Sequence, residues 1–277
     1  MNEPTERTLV ETKVAVIGCG AMGQALIRGF CRDRKLKPEH ISVFDIGEQR
    51  LAEVRPLGVR IADSIAGAIE QAHIILLVVK PYAVANVVRA LPDLRRGLLD
   101  SPLLVSVAAG VTVSSIQGFV GGPVQVARAM PNLACEIGQG MIALFAEDQT
   151  VLPNVERLFS LVGRTVCVQQ EAELDCATAL AGSGPAFAAL FAEALTDGAI
   201  LSGFPRDLAA VFAAQTLLGA AELFLKTGIR PAELKERVSS PGGTTIAGLH
   251  ALEKGAVRGT IMTAVKAAAD RAKELGS

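Results

Sequence analysis

Two short stretches of this chain carry residue types that could do chemistry. The first is GCGAMG, with Gly18, Gly20 and Gly23 in a G-x-G-x-x-G spacing. The second is SSPGGTTIAGL, residues 239–249, which puts a proline, two glycines and four hydroxyls into its first seven residues. A plain turn between helices needs one glycine. The second stretch looks built to present backbone N–H groups and hydroxyls to something small and anionic, because a Gly-rich turn opening a helix offers unpaired donors and the positive end of the helix dipole.

The context of the first stretch gives it meaning. The run VAVIG leads straight into GCGAMG, a helical pattern follows, and a second strand-like run, ISVFD, ends in Asp45. That order is the dinucleotide-binding fingerprint. Gly18 permits the tight turn, Gly20 lets a pyrophosphate approach the backbone of Ala21 and Met22, and Gly23 lets the helix sit close to the sheet. Asp45 would accept hydrogen bonds from ribose hydroxyls, which favours NAD(H), while Arg50, a few residues on, could reach a 2′-phosphate, so the cofactor is expected to be NADP(H) or NAD(H). Further apolar runs end in VVKP, SVAAGV and RAMPN. Their last residues, Val79, Lys80 and Pro81, then Ala108, Ala109 and Gly110, then Met130, Pro131 and Asn132, are expected at the same ligand-binding edge of a sheet.

The elements that must position these residues follow two grammars. Up to about residue 168, runs rich in Val and Ile (KVAVIG, ISVFD, IILLVVK, LLVSVAAG, VQVARAM, GRTVCVQ) alternate with helical patterns such as QALIRGFCRDR and VANVVRALPDL. This implies a Rossmann-type, doubly wound and mostly parallel sheet over 1–168. From 169 to 277 the strand signals stop, and the pattern is all-α. ELDCATALAGSGPAFAALFAEALTDGAILSG reads as one or two helices interrupted at GSGP. In the next helix AAVFAAQTLLGAA has almost no polar face. A helix apolar nearly all round in so small a domain predicts burial by a partner, a helical homodimer interface.

Composition narrows the classes. Half the 277 residues are hydrophobic, Trp is absent and the formal net charge is −1, which gives no basic surface for nucleic acid. The polar, mixed-charge N-terminus does not read as a signal peptide, and the longest unbroken aliphatic run, IILLVV, is too short to span a bilayer. The five cysteines are scattered without CxxC spacing, so they are expected to be reduced, and no metal site is expected. A cytoplasmic enzyme is the resulting expectation.

Taken together, GCGAMG, VVKP, VSVAAGVT, ARAMPN, ALAGSGPAF, EALTDGAILSGFPRDLA and above all LKERVSSPGGTTIAGLHALEKG resemble the pyrroline-5-carboxylate reductase family, in the right order along nearly the whole chain. The resemblance implies reduction of the cyclic imine 1-pyrroline-5-carboxylate to L-proline with NADPH or NADH. It also implies helical domains interlocked in dimers that can assemble into decamers. It places Ser240, Gly242, Gly243 and Thr244 at the substrate carboxylate, and Thr245 beside the ring nitrogen as the catalytic hydroxyl.

Some residues depart from the family pattern. Leu133, Ala134 and Cys135 follow MPN where the family has Thr-Pro, Phe187 stands where Tyr is common, and His73 where Asp is common. Glu193 and Asp197, a helical turn apart, either face the substrate or pair with surface cations. Two alternatives remain from the residues: reduction of a different cyclic imine carboxylate, or a non-catalytic nucleotide-binding interaction module. A hydroxyacid dehydrogenase is disfavoured because AFAALFAEAL after GSGP offers no lysine base.

Overall fold

The computed structural model describes residues 11–91, 102–122 and 124–275. The expectations for most of the N-terminal stretch and for the end of VANVVRALPDL fall outside them. The strands are β1 Val14–Ile17, β2 Ile41–Phe44, β3 Arg60–Ile61, β4 Ile74–Leu77, β5 Leu103–Ser106, β6 Val126–Met130, β7 Gly140–Phe145 and β8 Gly163–Cys167. They form one sheet in the order β3-β2-β1-β4-β5-β6-β7-β8. Neighbours are parallel except β6 and β7, which run antiparallel. The expected doubly wound sheet is therefore present, with β3 and β7 added to the strands read from sequence.

β1, β4 and β5 are buried at every position because successive side chains point to opposite faces and both faces are covered by helices. Val14, Val16, Ile74, Leu76, Leu103 and Val105 face one apolar cluster, while Ala15, Ile17, Ile75, Leu77 and Leu104 face the other. On the first face, helix α1 (Ala21–Cys31) contributes Leu26, Ile27 and Phe30, and α6 (Leu152–Phe159) contributes Val155, Leu158 and Phe159. On the second face, α3 (Ile65–Ile69), α4 (Pro81–Arg89) and α5 (Val113–Val120) contribute Ile69, Val84, Val88, Val113 and Ile116. The short α2 (Glu48–Ala52), after β2, adds Leu51 to the first face.

The helical half opens with α7 (Glu173–Ala177), a π-helical turn at Thr178–Gly182, and α8 (Gly184–Leu201). The expected interruption at GSGP is not a break. The helical run continues from Glu173 to Leu201, and the Ser183 N–H donates to the Thr178 carbonyl at 2.9 Å, one residue wider than an α-turn. Pro185 has no N–H to give, and widening the turn lets the chain absorb it without stopping.

The chain forms two compact units, residues 1–183 with 268–277, and residues 184–267. Strand signals end earlier, near 168, but α7 belongs with the sheet because Leu174 is buried against Met130 and Ala143. In the second unit, α8 packs against α9 (Arg206–Thr227), followed by α10 (Pro231–Arg237) and α11 (Thr244–Lys254). The last helix, α12 (Val257–Glu274), ends within the residues grouped with the first unit. Phe204 and Phe212 meet edge to face with centroids 5.3 Å apart. Otherwise this unit buries little of itself: α8 has no buried residue, and α9 buries only Ala209 and Ala213. Leu201, Val211, Phe212, Leu225 and Met262 are all more than half exposed. By length and composition alone, Glu173–Leu201 and α9 could also cross a membrane. Counting unbroken aliphatic runs misses both, because scattered polar residues interrupt them.

Phe30 and Phe159 are fully buried and meet edge to face across α1 and α6 with centroids 6.2 Å apart. Phe159→Ala is expected to destabilise the sheet unit by about 3–5 kcal/mol. Urea unfolding followed by circular dichroism measures it, and a loss below about 1 kcal/mol would show that the core relaxes to fill the hole.

Candidate active site

The sheet order reverses at the neighbouring pair β1 and β4, and this switch point is where an open α/β sheet leaves a crevice beyond its carboxyl ends. Gly18 lies at the end of β1 with φ +108°, a conformation side chains rarely adopt. A Cβ there would lie 2.4 Å from the Val78 carbonyl oxygen, and one on Gly23 would lie 2.2 Å from the Gly18 carbonyl oxygen. Both glycines are thus demanded by the fold itself. Gly20 is different: a Cβ there would meet nothing within 4 Å. It is the N-terminal boundary residue of α1, and no side chain caps that helix. The first-turn N–H groups, Ala21 and Met22 among them, have no partner within the helix. The protein does not need a glycine at Gly20, but an anion approaching those N–H groups does. This arrangement fits a dinucleotide pyrophosphate.

Asp45 follows β2 and is 6% exposed. Its Oδ2 accepts the Cys19 N–H at 2.7 Å, and its Oδ1 accepts the Gly47 N–H at 2.7 Å. The Arg50 guanidinium lies 3.4 Å from Oδ1 and is 57% exposed. Asp45 therefore pins the Gly-rich turn to the end of β2 and pairs with the exposed Arg50 beside it. Beyond β4, Val79 leads to Lys80, which is exposed, and Pro81 occupies the first position of α4. The lysine is a surface group at a helix start.

The loop after β5 and the end of β6 come together. Ala109 packs against the cluster of Met130, Ala143 and Leu174, and Ala108 and Gly110 are buried, Gly110 with φ +76°. Pro131 is buried, and Asn132 is 8% exposed. The Asn132 amide donates to the Ala181 carbonyl at 3.0 Å, and its oxygen accepts the Met141 N–H at 3.4 Å. The structure thus brings the residues predicted from VVKP, SVAAGV and RAMPN to one edge of the sheet, with the Gly-rich turn and Asp45.

The sequence reading missed two residues at this edge, Arg128 and Glu171. The guanidinium of Arg128, a residue only 2% exposed, donates to Glu171 Oε1 at 3.0 Å. The same oxygen accepts the Val113 N–H at 2.7 Å. An arginine inside the apolar run VQVARAM was the available signal.

SSPGGTT lies in the second unit. The Ser239 hydroxyl donates to the Lys235 carbonyl at the end of α10. The chain turns at Ser240–Gly243, where the Gly243 N–H donates to the Ser240 carbonyl at 3.1 Å and Gly242 takes φ +68°. A Cβ on Gly243 would lie 2.3 Å from the Ser240 hydroxyl oxygen, so this glycine lets Ser240 fold over the start of α11. No side chain caps α11. Thr244 and Thr245 form its first turn, with Thr245 half-buried.

All five cysteines are free. Burial pushes the Cys19, Cys31 and Cys135 thiols up to about 11, which keeps them protonated and inert. Among the described residues, no cluster of three or more His, Cys, Asp or Glu side chains could hold a metal.

Residues 171–275 match the family described as pyrroline-5-carboxylate reductase dimerisation, and 13–110 match the one described as NADP oxidoreductase, coenzyme F420-dependent. A pyrroline-5-carboxylate reductase of Methanosarcina acetivorans is 38% identical, over 95% of this chain and 98% of that protein. One from Glycine max is also 38% identical, over 94% of each chain. Among solved structures, the pyrroline carboxylate reductase of Plasmodium falciparum with NADP bound superposes with a TM-score of 0.87 at 28% identity, covering 98% of this chain and 100% of that one. The enzyme from Coxiella burnetii gives 0.85 at 31% identity, over 96% and 99%. Sharing 38% of its residues with the Methanosarcina acetivorans and Glycine max enzymes along nearly its whole length, the chain belongs to the pyrroline-5-carboxylate reductase family.

Proposed function

We propose that this chain reduces 1-pyrroline-5-carboxylate to L-proline, as an NAD(P)H-dependent oxidoreductase of the last step of proline biosynthesis. The observation that carries this reading is that one chain has two anion cradles: a Gly20 opening at α1 that the fold does not itself require, and the uncapped SSPGGTT turn at α11. The reading assigns 1–168 to the dinucleotide and 169–277 to the substrate and to self-association.

The N–H groups of Ala21 and Met22 would hold the pyrophosphate, with Gly18 and Gly23 setting the turn. Val79, Lys80 and Pro81 line the phosphates' side, while Ala108–Gly110 and Met130–Asn132 offer small or apolar surface to the nicotinamide ring. The reduced nicotinamide supplies the hydride that goes to the imine carbon. Ser240, Gly242, Gly243 and Thr244 hold the substrate carboxylate, through donors at the positive end of α11. Pro241 holds the turn in shape before substrate arrives. The Thr245 hydroxyl hydrogen-bonds the ring nitrogen, fixing the imine and, if it arrives unprotonated, relaying to it a proton taken up from water, so that the hydroxyl ends as it began. Hydride addition to the iminium then leaves the secondary amine of proline. Because both Asp45 oxygens already accept backbone N–H groups, and Oδ1 also pairs with the exposed guanidinium of Arg50, we take NADPH as the better of the two cofactors. An arginine there suits a 2′-phosphate.

The exposed apolar faces of α8 and α9 need a cover. A second copy of this chain is our reading, in place of a membrane, because the family match over this region is a dimerisation domain. The same reading extends the dimer to a decamer. The five free cysteines support a cytoplasmic setting.

Loss of reduced-nicotinamide absorbance with pyrroline-5-carboxylate, run side by side with NADPH and NADH, tests the reaction. Turnover with a preference for NADPH is expected; a preference for NADH would return Asp45 to the ribose hydroxyls. Turnover only with another cyclic imine carboxylate would point to the changes at Leu133–Cys135 and Phe187. Thr245→Ala should lower kcat about 100-fold with cofactor affinity intact, and Thr245→Ser should recover most of it. An unchanged rate removes Thr245 from the chemistry. Gly20→Ala should leave the melting temperature alone and weaken NADPH binding by at least about tenfold, since its methyl has space in the fold but not beside a pyrophosphate. Unweakened binding would mean that the phosphates sit elsewhere. Light scattering should find at least a dimer, and Val211→Glu, on an exposed apolar face of α9, should shift it towards monomer. A wild-type monomer would leave those faces without the cover proposed.

A further inference from the structure

Arg128 is the one charged side chain among the buried polar residues of the described chain, in register with Ser106 near the ends of β6 and β5. Its guanidinium reaches two ways. One terminal nitrogen donates to Glu171 Oε1 at 3.0 Å, and the other lies 3.4 Å from the Ala108 carbonyl oxygen. Glu171 sits in the turn between β8 and α7, and its Oε1 also accepts the Val113 N–H, the first of α5. The loop from Val107 to Thr112 is therefore held at both ends by one ion pair. A third tie lies inside it, where the Ala108 N–H donates to the Ser106 hydroxyl at 3.2 Å.

Stability alone is a poor reason for this arrangement. Burying a guanidinium costs several kcal/mol, and a carboxylate partner repays that only with complete hydrogen bonding. Here the Arg128 Nε–H is buried with no partner. An apolar side chain of similar volume would serve the core as well or better. What the pair does supply is a fixed position for Ala108, Ala109 and Gly110, whose φ of +76° already restricts the turn.

We propose that Arg128 and Glu171 are positioning residues for the nicotinamide end of the cofactor, holding the 107–112 loop and the Met130–Asn132 segment in the geometry that hydride transfer needs. Neither touches the reacting atoms. The proposal rests on the assignment of these segments to the nicotinamide. It predicts that breaking the pair disturbs one end of the bound dinucleotide and spares the other.

The test uses Glu171→Gln, which keeps an oxygen for the Val113 N–H and removes the charge that pairs with Arg128. Glu171 is partly exposed, so this variant is the safer one for folding, and Arg128→Lys is the companion. Three quantities are compared with the wild-type chain: the fluorescence gain of NADPH on binding, which reports the surroundings of the nicotinamide; the Kd of 2′-phospho-ADP-ribose, which lacks the nicotinamide; and kcat. The expected result is a fluorescence gain cut by about half or more, a kcat about tenfold lower, and a fragment Kd within about twofold of wild type. Unchanged fluorescence in folded Glu171→Gln protein would overturn the proposal. So would a fragment affinity that falls in step with the nicotinamide signal, since that is the mark of a general structural defect. If the wild-type chain binds NADPH but reduces no imine, the assigned reaction fails, while the fluorescence comparison still decides this role.

Discussion

The close seating of α1 on the sheet is the constraint on which the rest depends. At β1, β4 and the first turn of α1, backbone meets backbone so tightly that a methyl on Gly18 or Gly23 would overlap a carbonyl oxygen. That contact fixes the direction in which the helix N-terminus points, and so where an anion can be held. The loops after β2 and β5 inherit their places from pairing to β1 and β4, and the loop after β6 from pairing to β5. Asp45 then ties the turn to the end of β2 through the Cys19 N–H. A carboxylate so engaged is part of the scaffold first, which is why its identity alone is a weak guide to the cofactor.

The two compact units solve the problem of apolar surface differently. The sheet unit does so internally, with helices on both faces and two apolar clusters divided by strand alternation. The helical unit does not. Burial of one large aliphatic side chain contributes roughly 1.5–3 kcal/mol, so a helix pair that leaves Leu201, Val211 and Leu225 in water forgoes much of what its sequence offers. Its composition makes sense as half of an interface, which agrees with a dimerisation family match over 171–275.

What could be read from the sequence follows the range of the interactions. Strand–turn–helix punctuation is local, so the Gly-rich turn, Asp45 and six of the eight strands were legible. β3 was not, since Arg60–Ile61 is too short to show alternation. β7 was hidden because Gly138 and Gly140 surround its start and read as loop, and its antiparallel course is set only by pairing with β6. The pairing of Arg128 with Glu171 joins residues far apart in the chain, and no local pattern announces it. A charge inside an apolar strand signals that a partner exists, but not which one.

The same logic resolves the departure after Asn132. Pro185 has no N–H, so the carbonyl of Ala181, four residues before it, loses its ordinary helical donor. Asn132 supplies one at 3.0 Å, which binds the end of β6 to the π-helical turn. That task belongs to the asparagine side chain and does not involve the residues after it. Leu133–Ile137 forms a short 3-10 turn, within which Cys135 is fully buried. The Cys135 carbonyl packs so close to α1 that a methyl on Gly29 would lie 2.2 Å from its oxygen. The replacement of Thr-Pro by Leu133 and Ala134 is therefore absorbed in a segment that packs on α1, while Asn132 keeps its bond to the Ala181 carbonyl. The missing hydroxyl bears on what the loop offers a ligand, whereas the fold around Asn132 is held by a carbonyl that a distant proline left unpaired.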